Sequence, residues 1–185
     1  MDHGREKVIE YLRLAFSQEK ALIRTLQAHS EIARDGHYKD QLQRHLTETT
    51  GHARRIRQRL NELGYRDEEH LLQRGIGFVQ SIAAQGLALA KGPMDLIRGR
   101  GSIEETMLLN ARDEAMTEAL EIATYLAIEN IADEVDDDQT AELARDIRAD
   151  EESMLEKLGG IIPGLAQAVV RSEAGPSVSS IRKAS

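Results

Sequence analysis

The chain has 185 residues, 41% apolar and 30% charged, with a formal net charge of −8 and no cysteine. That is enough sequence for one domain with a sizeable core, in the ordinary balance of a soluble globular protein. The acidic excess excludes a general nucleic-acid binder, whose footprint is basic, and the lack of thiols excludes disulfide frameworks and thiolate metal sites. Any bound metal must therefore be held by oxygen and imidazole.

Aromatic residues make up only 3% of the chain and proline occurs only at positions 93, 163 and 176. The remainder is dominated by Ala, Leu, Ile, Glu, Arg and Gln, strong helix formers with few β-branched clusters, so the expected fold class is all-α. The opening stretch MDHGREKVIEYL enters an amphipathic helix directly, without a basic region followed by an apolar leader, which makes a cytoplasmic location the expectation.

The first helix is expected over residues 4–33, where Val8, Leu12, Ala15, Phe16, Leu22, Ile23 and Leu26 recur at helical spacing. Glu19 sits at the centre of that apolar face, with Ala15, Phe16, Leu22 and Ile23 three and four residues away. A buried, unpaired carboxylate is rare, so Glu19 calls for a partner or a function. The turn RDGHYKD follows, with Gly36 suited to a helix C-cap.

A second helix is expected over 38–63, with Leu42, Leu46, Ala53, Ile56, Leu60 and Leu63 as its stripe and Gly64 closing it. His45, Glu48 and His52 stack on one edge of that stripe at spacings of three and four. The neighbouring run Arg54, Arg55, Arg57 and Arg59 points around the helix, not to one side, and does not make a basic patch.

Residues 64–101 form a long connection whose segment 76–90 is apolar and rich in small residues. It is too short, and too interrupted by Gln80, Ser81 and Gln85, to span a membrane. The expectation is an extra helix lying against the bundle, with a subunit interface or a partner contact as the alternatives.

The third helix, 102–134, opens with the capping pattern SIEE, Ser102 as N-cap and Glu105 at the third helical position. It is apolar on most sides, yet Glu114, Glu118 and Glu121 fall within about 60° of one another, in line with Met107, Ala111, Tyr125 and Ile128. No Lys or Arg stands three or four residues from any of them, so the helix itself offers nothing against their repulsion. After the acidic turn EVDDDQT, where Asp138 is a candidate cap, a fourth helix is expected over 139–158. Its inner face, Leu143, Ala144, Ile147, Met154, Leu155 and Leu158, includes Glu151. Gly159, Gly160 and Pro163 suggest a break and a short C-terminal helix, leaving 1–172 as the bundle and 173–185 as a flexible tail.

Each of the four helices thus brings a carboxylate toward an apolar interior. Glu19 and Glu48 stand 29 residues apart and Glu121 and Glu151 stand 30 apart, as in two similar helical hairpins. Joined by a long crossover, these hairpins make a four-helix bundle whose second and third helices run parallel.

Four stretches, QEKAL around Glu19, HLTETTGH from His45 to His52, EALEIATY from Glu118 to Tyr125 and ADEESMLEKL from Ala149 to Leu158, resemble the YciE/YciF-type bacterial stress-response branch of the ferritin-like superfamily. The resemblance covers roughly residues 5–160. It implies a small, stress-associated, dimeric bundle in which a Glu from each of two helices and a Glu-x-x-His from each of the other two hold a pair of metal ions. By analogy with rubrerythrin-like members, Glu118 and Glu121 would be the two acids of the third helix.

The chain departs from that pattern: Gly51 stands three residues after Glu48, with His52 one further, and Met154 stands three after Glu151. The expected ligands are accordingly Glu19, Glu48, His52, Glu118, Glu121 and Glu151, holding Fe or Mn, with iron or peroxide redox chemistry at the ions and Tyr125 tuning a ligand by hydrogen bonding. The competing expectation is a metal-free scaffold or adaptor, acting as a dimer, whose inner acids are bridged by His45, His52, arginines or water. Neither includes a nucleic-acid or membrane partner.

Overall fold

The computed structural model describes residues 3–65 and 101–173, and both stretches are helical. They form α1 (His3–Ile32), α2 (His37–Glu62), α3 (Ile103–Glu134) and α4 (Asp138–Glu173). The expected extra helix at 76–90 and nearly all of the expected tail lie outside the described residues.

Helix ends follow local chemistry, with three differences from expectation. Ser102 caps α3 as its sequence predicts, its hydroxyl accepting from the Glu105 N–H at 3.1 Å. Gly64, at φ 78°, closes α2 in the left-handed region, with Tyr65 N–H returning to the Leu60 carbonyl at 2.9 Å. Gly36, expected to end the first helix, instead precedes α2 as its N-cap residue, at φ 144°. The cap of α4 is Asp137 and not Asp138: one Asp137 carboxylate oxygen accepts from Thr140 N–H at 3.1 Å and the other from the Thr140 hydroxyl at 2.7 Å. A carboxylate three residues before its donor fits N-cap geometry, and Asp137 has that spacing.

The third difference is larger. Gly159, Gly160 and Pro163 do not separate a short C-terminal helix; α4 continues through them to Glu173. An interior proline forfeits one helical hydrogen bond, and each glycine costs about 1 kcal/mol relative to alanine. Continuation places Ile161 and Leu165 in the core against Leu22, Leu26, Tyr38, Leu42, Met107 and Ala111. Burying two such side chains contributes about 3–6 kcal/mol, enough to override the local preference for a break.

The core clusters give the helix directions. One cluster joins the start of α1 (Val8, Leu12, Ala15), the end of α2 (Ile56, Leu60), the end of α3 (Tyr125, Ile128) and the start of α4 (Ala144, Ile147). The other joins the end of α1, the start of α2, the start of α3 and the end of α4. Hence α1 and α2 are antiparallel, as are α3 and α4, while α2 and α3 run parallel, the end of α2 and the start of α3 lying at opposite ends of the bundle. Between the two apolar clusters lies a polar middle layer.

Candidate metal centre

The middle layer is built where each helix interrupts its apolar line with an acid or a histidine. Glu19 falls between Ala15 and Leu22 on α1, and Glu118 and Glu121 fall between Ala111 and Tyr125 on α3. Glu151 falls between Ile147 and Met154 on α4. All four are inside: Glu19 and Glu118 are 0% exposed, Glu121 1% and Glu151 2%.

On α2 the buried line passes through Leu42, His45, Thr49, His52 and Ile56, alternating steps of three and four. Leu46, counted in the expected stripe, is only half-buried, so the true line is rotated toward the histidines. Thr49 takes the interior position beside Glu48. Glu48 itself is half-buried and lines a shallow surface groove with Asp40, Gln43, Arg44 and Thr47. The 3–4–3–4 spacing from Leu42 to Ile56 was the available signal for His45, which the expected ligand set did not include.

Two triads of ligand atoms converge here: Glu19, His52 and Glu151, and His45, Glu118 and Glu151, with the atoms of each triad within 4.8 Å of one another. Glu151 belongs to both. His52 Nδ1 is 2.9 Å from Glu151 Oε1 and 3.7 Å from Glu19 Oε1, and His45 Nε2 is 3.1 Å from Glu118 Oε1. Glu121 lies among the same carboxyls, close enough for Glu19, Glu151 and Glu118 each to oppose its ionisation.

Outside the triads, the chain supports them unequally. The Tyr125 hydroxyl donates to Glu19 Oε1. His52 Nε2 lies 3.2 Å from Asp150 Oδ2; since a carboxylate only accepts, Nε2 carries the proton and Nδ1 faces the interior. Asp150 was not legible as a functional residue, because a half-exposed Asp beside Glu151 reads as solvated surface.

Most of the inner atoms lack hydrogen bonds. Among the described residues, both oxygens of Glu118, both of Glu121, Glu19 Oε2, Glu151 Oε1, both nitrogens of His45 and His52 Nδ1 are buried without one. No Lys or Arg ion pair of the described residues reaches these acids: Arg148 is taken by Glu129 and Glu152, and Arg55 by Asp146. So many bare donor atoms aimed at one another is costly, about 1–3 kcal/mol for each unsatisfied group, unless something cationic lies between them.

The electrostatics carry the same message. Burial, reinforced by the Glu151 charge, pushes the Glu19 carboxyl up to about 8 despite the opposing help of His52 and Tyr125. Burial and the neighbouring acids push Glu118 up to about 11 and raise Glu121 well above the ordinary carboxyl range. Burial works against charge on His52 as well, but Glu151, Glu19 and Asp150 outweigh it and push the imidazole up to about 9. Glu151 is itself driven upward by burial, and His52 with Glu118 reverses this and holds it below the ordinary range. Burial lowers His45, leaving it a neutral imidazole suited to ligation. Without a cation, one imidazolium faces four carboxyls and most of the acids stay protonated.

Oxygen-rich donors with two imidazoles, four-sided access from a bundle and a carboxylate common to two triads fit Fe or Mn. A neighbouring buried acid, Glu114, is held through one oxygen: its Oε1 meets His29 Nδ1 at 2.6 Å and accepts from the Tyr38 hydroxyl at 2.8 Å, while its Oε2 has no hydrogen bond among the described residues.

The fold is therefore that of the ferritin-like bundles, and its polar middle layer is a candidate dinuclear centre. The chain belongs to the family described as domain of unknown function DUF892, whose model matches residues 4–171. No curated protein matches the sequence. Its helical structure is similar to that of the Escherichia coli stress protein YciF, at 18% identity and a TM-score of 0.67 over 90% of this chain and 99% of that one. YcfI from Rhodopseudomonas palustris aligns at 17% identity and TM-score 0.68 over 86% of this chain and 94% of that one. A protein from Xanthomonas campestris pv. campestris aligns at 19% identity and TM-score 0.63, covering 92% and 98% of the two chains. The YciE/YciF-type likeness and the all-α bundle expected from the sequence are both met. Among the described residues no helix is long and apolar enough to cross a membrane.

Proposed function

We propose that this chain is a stress-associated metalloprotein that binds two Fe or Mn ions in the middle of its bundle. The ligands in this reading are Glu19, His52, Glu118, Glu121 and Glu151, with His45 added and Glu151 common to both ions. Glu48 enters as a charge at the rim, near enough to act on the His45 imidazole, not as a direct ligand. The observation that carries the reading is the set of buried, unpartnered donor atoms drawn from all four helices, with no Lys or Arg ion pair from the described residues. The stress association rests on the description of YciF as a stress protein. A cytoplasmic, dimeric state is part of the same proposal.

Bound iron would supply its own oxidation from the ferrous to the ferric state, with dioxygen or peroxide as the electron acceptor. The chain's own contributions are distinct from that chemistry. The two apolar clusters exclude water from the middle layer, which strengthens every charge interaction inside it. Tyr125 fixes Glu19 and Asp150 fixes His52, while His45 stays neutral and the carboxyls surrender protons as cations enter.

A second reading, a metal-free scaffold or adaptor, draws support from the contact of His52 with Glu151 and from the Tyr125 bond to Glu19, which neutralise part of the layer without an ion. The test is a thermal melt of chelator-stripped protein with and without Mn(II), alongside Glu118→Gln. Metal binding predicts a rise in melting temperature for the native chain and a much smaller rise for the variant. No rise for either leaves the scaffold reading.

A further inference from the structure

The two triads do not have equal support. In the first, Tyr125 holds Glu19 through its hydroxyl, and Asp150 holds His52 through Nε2 at 3.2 Å. Both ligands therefore meet the interior in a fixed orientation, with His52 Nδ1 aimed at Glu151 and offered to a cation that displaces its proton. In the second, neither nitrogen of His45 and neither oxygen of Glu118 has a hydrogen bond among the described residues. The His45 ring is held by no hydrogen bond before a cation arrives, and Glu118 leans only on the Glu151 carboxyl beside it. Carboxylates that hold the far nitrogen of a ligating histidine set its orientation and basicity, and their loss weakens metal binding about 10- to 100-fold.

We propose that Asp150 and Tyr125 are positioning residues that preorganise the Glu19–His52–Glu151 half of the centre, so that one cation binds there first and tightly and the second binds later and more weakly at His45 and Glu118. This rests on the metal-binding reading above, and deepens it by ordering the two ions. Asp150 is well placed for a test because its side chain is 54% exposed and its removal opens no hole in the core.

The experiment is calorimetric titration of Mn(II) into chelator-stripped protein, comparing the native chain with Asp150→Ala, Asp150→Asn, Tyr125→Phe and His45→Ala. The native chain gives two resolved steps. Asp150→Ala weakens the tight step about 10- to 100-fold and leaves the weak one unchanged, and Asp150→Asn, which keeps an acceptor for Nε2–H, recovers part of the loss. Tyr125→Phe acts on the same step, and His45→Ala removes only the weak one. A purely structural role for Asp150 would move both steps together or neither. Two equal sites, a tight step indifferent to Asp150→Ala, or a tight step abolished by His45→Ala would each overturn the ordering while leaving metal binding intact. No uptake by the native chain would remove the centre itself and the ordering with it.

Discussion

His45 Nε2 stands 3.1 Å from Glu118 Oε1, yet the two do not form a hydrogen bond, and both are sealed from solvent. A cation between them would make both into ligands. Replacing Glu118 by Gln removes one potential charge and little volume. In chelator, Glu118→Gln should match the native chain in denaturant stability or exceed it by about 1 kcal/mol, since the amide, unlike the raised carboxyl, takes up no proton on folding. In excess Mn(II) the order should reverse. A variant more stable than the native chain under both conditions would favour the scaffold reading.

Stability without metal should fall as pH rises from about 6.5 to about 9. Glu19 has its folded value raised from 4.5 to about 8, so above 4.5 the unfolded chain loses a proton that the folded chain retains, and stability drops until the folded group also ionises. His52 is raised from 6.5 to about 9, so its stabilisation is complete below 6.5 and lost as pH passes through about 9. The two slopes have the same sign. His45 and Glu151, whose values are lowered, act in the opposite direction, but only below about 6.5 and 4.5. Melting temperatures of chelated protein across this range give the check, and a flat or rising profile would contradict the electrostatics.

The Glu114 cluster should be structural and separable from metal uptake. Tyr38→Phe deletes one of two bonds to Glu114 Oε1 inside the apolar end of the bundle. The expected cost is about 1–2 kcal/mol in urea unfolding, with the Mn(II) isotherm unchanged. A changed isotherm would tie Glu114 to the centre.

Arg59 fastens the end of α2 to the start of α4. Its guanidinium donates to Thr140 Oγ1 at 2.8 Å, to Gln139 Oε1 at 2.6 Å and to Asp137 Oδ1 at 2.6 Å. Because this side chain and Asp137 are largely shielded, Arg59→Ala should cost about 1–3 kcal/mol, against at most about 1 kcal/mol for the exposed pair Arg55–Asp146. Denaturant melts of the two single variants make the comparison.

Glu19 and Glu151 were legible because apolar residues stand three and four positions from each, and Glu118 and Glu121 because they share a stripe with Met107, Ala111, Tyr125 and Ile128. The four bundle helices and their directions followed from periodicity and from the long connection between the hairpins. The interior of α2 was not fixed as well, because Leu46 and Ala53 pull the apparent stripe away from His45 and His52, and only packing against three other helices decides its rotation. Asp150 was hidden for a related reason: its role depends on a histidine 98 residues away. The run of α4 through Gly159, Gly160 and Pro163 depends on Ile161 and Leu165 reaching a core formed by the other three helices, which no local preference encodes.

The most direct test of the central claim is anomalous scattering from crystals grown with Mn(II) or Fe(II). Two peaks should appear in the middle layer, one bonded to Glu19, His52 and Glu151 and the other to His45, Glu118 and Glu151. A middle layer with no peak, its carboxyls protonated and hydrogen-bonded to one another or to water, would contradict it.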